Sequence, residues 1–405
     1  MTRDTGRLDA IDGLRALAMT AVVAQHCKLA PPGWTGVWLF YVISGFVIAR
    51  TFLLPSDLKP PRAYRAFIRR RFFRIVPAYL MYIAINLLVM AATGHTVGFR
   101  DVPFLLSFSY NWQMIFQLWP TPDGWSAFGH LWTLSVEEQF YLVFPLMLLF
   151  LPRLRFRLIA FALVLAGPVI RFGFARTVSA IAPDPGWLAF AVYAASFTQF
   201  DAFLMGALLA LFEPEVRRAP AAWRRFALAA LACALTYGLF YGVVNFSAGA
   251  TGLGLARNLF SGVLYGQGRE LFVYTVVDLL AVSIVGLVLV DPRLSRALSH
   301  PILRFVGRVS YGAYLYHALV LSIFGSFLMP AGFDALPVAW RLPWFLLAWT
   351  VTVGIAALSF RRFELPLIRW AGDGFRPGRL TQAGSRPLAP LARPAHEAVE
   401  EINSR

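Results

Sequence analysis

Cysteine and charge are both scarce in this sequence. Two cysteines occur in 405 residues, and because Cys27 and Cys233 lie in different apolar segments they form neither a disulfide framework nor the paired spacing of a zinc site. Charged residues make up 14% of the chain, against about a quarter in a soluble domain. The short signatures of zinc peptidases, phosphate-binding loops and serine hydrolases are missing. The sequence therefore predicts no metal site and no soluble enzyme of these classes.

Long apolar runs take the place of the missing charge. Hydrophobic residues make up 58% of the chain, and the mean hydropathy is +0.62. The runs are about 18 to 22 residues long, which is the length of helix that crosses about 30 Å of hydrocarbon. The sequence predicts an all-α polytopic membrane protein with about ten transmembrane helices. We place these helices at residues 10–30, 35–54, 75–93, 134–151, 157–175, 197–212, 226–245, 271–290, 308–328 and 343–360.

Positive charge is concentrated on one side of the predicted helices. With the N-terminus in the cytoplasm, the cytoplasmic side collects 30 lysines and arginines and the opposite side seven. Membrane proteins accumulate positive charge on the cytoplasmic side, so we expect both termini there. Topology also accounts for the net charge of +16, and no nucleic-acid partner is predicted. Membrane lipids are the expected surroundings, and nothing in the sequence fixes the oligomeric state.

Two regions lie outside the predicted helices. The loop at 94–130 is rich in tryptophan and in turn residues, and we expect it to fold back over the membrane surface. Residues 1–370 are predicted to form one transmembrane domain. Residues 371–405 are rich in Gly, Pro, Arg and Ala, and we expect a disordered cytoplasmic tail there.

Ionisable side chains at membrane depth are costly, so each of them is a candidate for function. Arg15 and His26 are eleven residues apart in the first predicted helix, which places them on one face and ~16 Å apart along its axis. Asp12 lies one turn before Arg15 and can pair with it. A local ion pair at the helix end and a histidine at the interface are the alternatives, and the shared face weakens both.

Two adjacent carboxylates, Glu137 and Glu138, enter a later apolar helix. They point about 100° apart, so at most one of them faces a given cavity. A carboxylate inside the membrane can orient a nearby imidazole and make it a better general base. An interfacial position for either glutamate is the alternative.

A run of arginines precedes the third predicted helix. Arg71 and Arg74 share a helical face, where two guanidinium groups could hold phosphates. A signal for anionic lipid or for topology is the alternative. Four further polar residues are predicted at membrane depth: His130, Asp201, Asp278 and His317. Each could take part in the function of the protein, or it could form hydrogen bonds that hold the helices together.

Taken in order, these motifs resemble the acyltransferase-3 family of bacterial membrane O-acyltransferases, over about residues 8–370. The resemblance lies in residues 11–26 with their Arg-x10-His spacing, 40–48, 71–77 with their RxxR-I-x-P pattern, 130–141, 306–317 and 363–366. Tyr316 stands where the family commonly has tryptophan. No hydrolase-like domain follows the last predicted helix, so the chain is similar to the stand-alone branch, which includes surface-glycan O-acetyltransferases.

The resemblance implies an enzyme of the bacterial cytoplasmic (inner) membrane. Its co-substrate would be acetyl-CoA or another short acyl-CoA, and its acceptor a hydroxyl of a glycan or glycolipid. On this expectation Arg15, Arg71 and Arg74 bind the donor. His26 acts as the general base and Glu137 orients it, or else His26 carries the acyl group itself.

Two other functions remain open at this stage. A transporter or flippase for a lipid-linked glycan would use the same buried charges to line a path, although no internal repeat is visible. An acyltransferase could also act on a small molecule such as a macrolide. Acceptor and acyl chain are not determined by the sequence.

Overall fold

The computed structural model describes residues 5–53, 58–94, 97–117, 126–181, 184–263, 266–328 and 337–373. Within these ranges the regular structure is helical and contains no strand. The α-helices are α1 (Thr5–His26), α2 (Thr35–Leu53), α3 (Pro60–Thr93), α4 (Val102–Leu106), α5 (Tyr110–Phe116), α6 (Trp132–Phe150), α7 (Arg153–Ser179), α8 (Pro185–Ala194), α9 (Phe200–Leu211), α10 (Glu213–Arg218), α11 (Pro220–Ser247), α12 (Gly252–Phe260), α13 (Arg269–Val290), α14 (Pro292–Leu298), α15 (Pro301–Arg308), α16 (Ser310–Phe327), α17 (Val338–Ser359) and α18 (Leu365–Asp373). Short 3-10 turns lie at Pro31–Trp34, Val97–Asp101, Ser126–Leu131 and Ser196–Thr198, and one π-turn lies at Phe360–Glu364.

The protein is a multi-pass membrane protein. In the described part of the chain, seven helical stretches are long and apolar enough to cross a bilayer. They are Pro31–Leu53, Pro60–Thr93, Ala127–Phe150, Arg153–Ser179, Pro220–Ser247, Arg269–Val290 and Ala339–Trp370. Seven of the ten predicted segments coincide with them.

The other three predicted segments form helices that do not meet these requirements: α1, α9 and α16. Helix α9 has only 12 residues, of which eleven are buried. Helix α1 packs against α2, α13, α14, α15, α16 and α17. A helix enclosed by other helices does not need an apolar surface all round, which is why these elements can be short or polar.

Helix α5 and the α8–α9 region fold onto the bundle. Asn111 in α5 donates hydrogen bonds to the backbone oxygen of Ala194 and to Ser196 Oγ, both at 3.0 Å. Gln139 in α6 donates to the backbone oxygen of Phe108 at 2.7 Å. The described residues around α5 in the predicted loop therefore pack against α6 and the end of α8. Two of its tryptophans, Trp119 and Trp125, lie outside the described residues, as does the predicted tail from 374 onward.

Helices α2 and α9 pack backbone to backbone through two glycines. A Cβ at Gly45 would lie 1.9 Å from the backbone oxygen of Phe203, and a Cβ at Gly206 would lie 1.9 Å from that of Val42. No side chain fits at such distances without moving one helix away from the other. This contact fixes how deeply the buried helix α9 sits in the bundle.

Replacing Gly206 with alanine should therefore destabilise the protein. Overpacking costs about 1–3 kcal/mol, and a clash with backbone cannot be relieved by rotating a side chain. The melting temperature of the purified protein in detergent measures this loss. Gly238 in α11 is the control, because a Cβ there meets nothing within 4 Å. Gly238→Ala should leave the melting temperature equal or slightly higher, and equal melting temperatures for both variants would contradict the proposed packing.

Candidate active site

Polar residues of α1, α2 and α3 surround a cavity of about 300 Å³, which we call the arginine cavity. Its polar lining consists of Asp12, Arg15, Ser44, Thr51, Arg70, Arg71 and Arg74. Among the described residues, no carboxylate forms an ion pair with Arg15, Arg71 or Arg74. The Nε of Arg15 is also buried without a hydrogen-bond partner in this part of the chain. In the described residues, the cavity therefore holds guanidinium groups that form no ion pair, although Asp12 in its lining attracts Arg15 and Arg74.

A second cavity, of about 600 Å³, contains His26 and His130, and we call it the histidine cavity. Much of its remaining wall is aromatic: Trp34, Trp132, Phe190, Tyr193 and Tyr314. The volumes of both cavities are those of small-molecule sites, which occupy about 300–1,000 Å³.

A narrow passage of about 50 Å³ lies between the two cavities. It shares Arg15, Ser44, Arg71 and Arg74 with the arginine cavity, and Val37, Thr133 and Tyr314 with the histidine cavity. Helix α1 contributes to all three spaces, because Arg15 lines the first cavity and the passage and His26 lines the second. The three spaces thus form a row along α1.

A chain of contacts across α2, α3 and α6 holds Arg71 in place. Ser44 donates to Glu137 Oε1 at 2.6 Å, and Tyr141 donates to Ser44 Oγ at 3.0 Å. The guanidinium of Arg71 lies over the ring of Tyr141, 4.1 Å from its centroid. Arg71 is also attracted electrostatically by both Glu137 and Glu138. Glu137 lines the narrow passage, so the carboxylate beside the arginines is the first of the two.

No contact among the described residues joins Glu137 to His26, so the orienting role expected for Glu137 stays a prediction. Glu137 lies in the second turn of α6 and faces Ser44, whereas His26 lies at the end of α1 and faces the histidine cavity. The seven residues from His130 to Glu137 correspond to about 10 Å of helix rise, which separates the carboxylate from the level of the histidines. Asp12, by contrast, is near its predicted partner Arg15 and attracts Arg74 as well.

His317 joins the other two histidines. Its ring centroid is 5.0 Å from that of His26 and 4.9 Å from that of His130. His26 is exposed to the cavity, whereas His130 and His317 are 7% and 0% exposed. In the described residues no group of three metal-binding side chains has the arrangement of a metal site. His26 is thus the imidazole of this cluster that reactants can reach.

Asp201 and Asp278 belong to a separate buried cluster. Asp201 pairs with Arg171 at 2.8 Å, and Arg171 also donates to the backbone oxygen of Thr198 at 2.8 Å. Asp278 is fully buried near this pair. Arg171 lies inside the bundle because Asp201 and the backbone oxygens of Thr198 and Leu271 accept its hydrogen bonds. This cluster stabilises the junction of α7, α9 and α13 and does not line the row of cavities.

A family model described as an acyltransferase domain, acyltransferase-3, matches residues 8–360, which is most of the chain. The chain belongs to the acyltransferase-3 family. It is 30% identical over 378 residues to peptidoglycan O-acetyltransferase OatA of Listeria monocytogenes, with 88% of this chain and 55% of that protein covered. It is also 30% identical over 391 residues to the provisionally named peptidoglycan O-acetyltransferase YrhL of Bacillus subtilis, with 90% and 55% covered. The chain spans about half the length of these curated relatives. No solved structure matches it.

Several residues of this acyltransferase-3 site were not assigned a role from the sequence. Ser44 and Tyr141 belong to the motifs that carry the family resemblance, yet only the structure joins them to Glu137 and Arg71. Tyr314 lines both the passage and the histidine cavity. In the sequence, each of these residues carries a hydroxyl group inside an apolar helix and within or beside a recognised motif. That pattern indicates a candidate position, but it does not identify the residue that the hydroxyl contacts.

Proposed function

We propose that this acyltransferase-3 protein transfers an acetyl or other short acyl group from acyl-CoA to a hydroxyl of a glycan or glycoconjugate at the membrane. The observation that carries the proposal is the row of three spaces, with arginines at one end and an accessible histidine at the other. Such a row brings a phosphate-bearing donor and a hydroxyl acceptor together from opposite sides of a barrier.

The arginine cavity suits the phosphates of coenzyme A. Arg15, Arg71 and Arg74 face one space, and a guanidinium fork matches the geometry of phosphate oxygens. The free Nε of Arg15 offers a donor that an anion would satisfy. In the proposed topology, with ten crossings and both termini in the cytoplasm of the bacterial inner membrane, this cavity opens to the cytoplasm, where acyl-CoA is made.

The passage is suited to a slender chain. Its volume of about 50 Å³ is that of one or two water molecules, since each water occupies about 30 Å³ in the liquid. An extended pantetheine arm is larger than this volume and would enter only if the passage widened along α1, where Arg15 and His26 are ~16 Å apart by helix rise. A lipid-linked glycan could not pass, and this disfavours the flippase alternative.

His26 is the proposed general base. It would take the proton of the acceptor hydroxyl while the hydroxyl oxygen bonds to the thioester carbonyl carbon. The carbon–sulfur bond then breaks, and His26 returns the proton to the leaving thiolate. An acyl-histidine intermediate is the less direct form of the same transfer.

A glycan is the preferred acceptor class. The relatives OatA and YrhL are named as peptidoglycan O-acetyltransferases, and the histidine cavity has a wall rich in aromatic rings. A macrolide would be the alternative occupant of a cavity of this size. Comparing the mass of envelope glycans from cells with and without the protein separates the two, because only a glycan acceptor gives the mass increase expected for an added acetyl group.

Replacing His26 with alanine should reduce transfer by at least ~10²-fold, the usual contribution of a general base. Membrane vesicles from cells that carry each variant, supplied with radiolabelled acetyl-CoA, contain the natural acceptor. Alkali-labile label in the vesicles then measures ester formation. His300→Ala is the control, because His300 is exposed at the start of α15 and lines none of the three spaces. Ester labelling at the wild-type rate in the His26 variant would remove this residue from the reaction.

Replacing Arg71 or Arg74 with alanine should weaken acyl-CoA binding by about 10-fold or more, which corresponds to the loss of one charge-assisted hydrogen bond of about 1.5 kcal/mol. Titration calorimetry on the protein in lipid nanodiscs gives the dissociation constant. Arg65→Ala is the control, because Arg65 is an exposed arginine on the same helix. Unchanged affinity in both cavity variants would assign these arginines to membrane topology alone.

Replacing Glu137 with alanine should also act on the donor. Arg71 would lose the carboxylate that fixes its position, so the dissociation constant for acyl-CoA should rise several-fold while transfer at saturating donor changes little. Measuring both quantities in the same vesicles and nanodiscs decides the point. A fall in the saturated rate at unchanged donor affinity would return Glu137 to its earlier role as the partner of His26.

A further inference from the structure

One ring nitrogen of His317 is buried without a hydrogen-bond partner among the described residues. The other, Nδ1, bonds the backbone oxygen of Tyr314. A carbonyl oxygen can only accept, so Nδ1 carries the proton and Nε2 of the neutral ring presents a lone pair. A buried acceptor left unsatisfied is unfavourable, so a donor is expected to reach Nε2.

The buried neighbours of His317 cannot supply that donor. His130 bonds the backbone oxygen of Leu315 through Nε2 at 3.1 Å, and by the same reasoning its single N–H is used there. The hydroxyl of Tyr314 lies 2.6 Å from Thr133 Oγ1 and 3.4 Å from the backbone oxygen of His130. Both groups are therefore committed elsewhere.

His26 is the remaining neighbour with an N–H to give. Its ring centroid lies 5.0 Å from that of His317, with the two planes tilted by 57°. At this separation a rotation of one ring brings the two edges within hydrogen-bond distance. His26 has room to rotate because its side chain is exposed to the histidine cavity.

We propose that His317 is a positioning residue for His26. Its Nε2 accepts the N–H of His26, which fixes the tautomer of His26 and leaves the second nitrogen of that ring facing the cavity with its lone pair. This inference rests on the proposed role of His26 as the base. The proton of the acceptor hydroxyl enters and leaves through the cavity-facing nitrogen, so His317 neither gains nor loses a proton over the reaction.

The arrangement follows the general logic of a base held by a third group. A neutral imidazole here takes the position that the sequence suggested for Glu137. The two histidines belong to different helices, α1 and α16, which contact each other directly. The orientation of the base thus depends on the packing of these two helices.

Two substitutions of His317 separate positioning from packing. His317→Gln removes the ring but keeps an oxygen acceptor near the position of Nε2, whereas His317→Phe keeps a ring and removes the acceptor. The vesicle assay gives the saturated rate of ester formation, and nanodisc titration gives the acyl-CoA dissociation constant. We expect the phenylalanine variant to lose ~10²-fold or more in saturated rate and the glutamine variant about 10-fold or less, with donor affinity unchanged in both.

The opposite order, with phenylalanine more active than glutamine, would show that His317 only fills space and would overturn the proposal. Equal rates in both variants would overturn it too. His300→Gln serves as the matched control and should retain the wild-type rate. The result for His26→Ala separates a failure of the proposed function from a failure of the positioning role. An active His26 variant refutes the proposed function. An inactive His26 variant combined with an active His317→Phe variant refutes only the positioning role.

Discussion

An ionised side chain inside the hydrocarbon layer must meet an opposite charge, a hydrogen-bonding group or water. The packing of this protein follows that constraint in two ways. Arg171 meets Asp201 and backbone carbonyls in a dry cluster between α7, α9 and α13. Arg15, Arg71 and Arg74 instead face an open cavity. The first arrangement stabilises the bundle, whereas the second leaves charge available for a ligand.

The constraint also explains which helices lie in the middle. Helices α1, α9 and α16 do not meet the length and hydropathy requirements of a membrane-crossing helix, and all three pack against other helices of the bundle. Two of them carry the candidate site: α1 holds Arg15 and His26, and α16 holds Tyr314 and His317. Helices α1 and α16 line the cavities together with α2, α3 and α6, and polar residues on them cost least where water or a ligand can reach them.

Seven of the ten predicted helices are long and apolar enough to cross a membrane in the described part of the chain, and the sequence indicates them because length and hydropathy are local properties. The contact partners of the buried polar side chains were not predictable in the same way. The direction of Glu137 depends on how α6 is rotated against α2 and α3, and one residue of rotation is about 100°. His26 and His317 are distant in sequence, so only the packing of α1 on α16 brings them together. The sequence does not predict the pairing of Arg171 with Asp201 either, because the two residues lie on different helices.

Glu137 lies near the arginines, whereas the three histidines lie together. This separation has a chemical consequence for the proposed transfer. Glu137 beside His26 would stabilise an imidazolium and so favour a charged base at rest. A neutral imidazole partner fixes the orientation of His26 without that charge, so the base keeps its lone pair until the acceptor hydroxyl arrives. Glu137 meanwhile limits the repulsion among arginines that share one cavity. On this reasoning the ~10 Å of helix rise between His130, just before α6, and Glu137 in α6 divides donor binding from proton transfer.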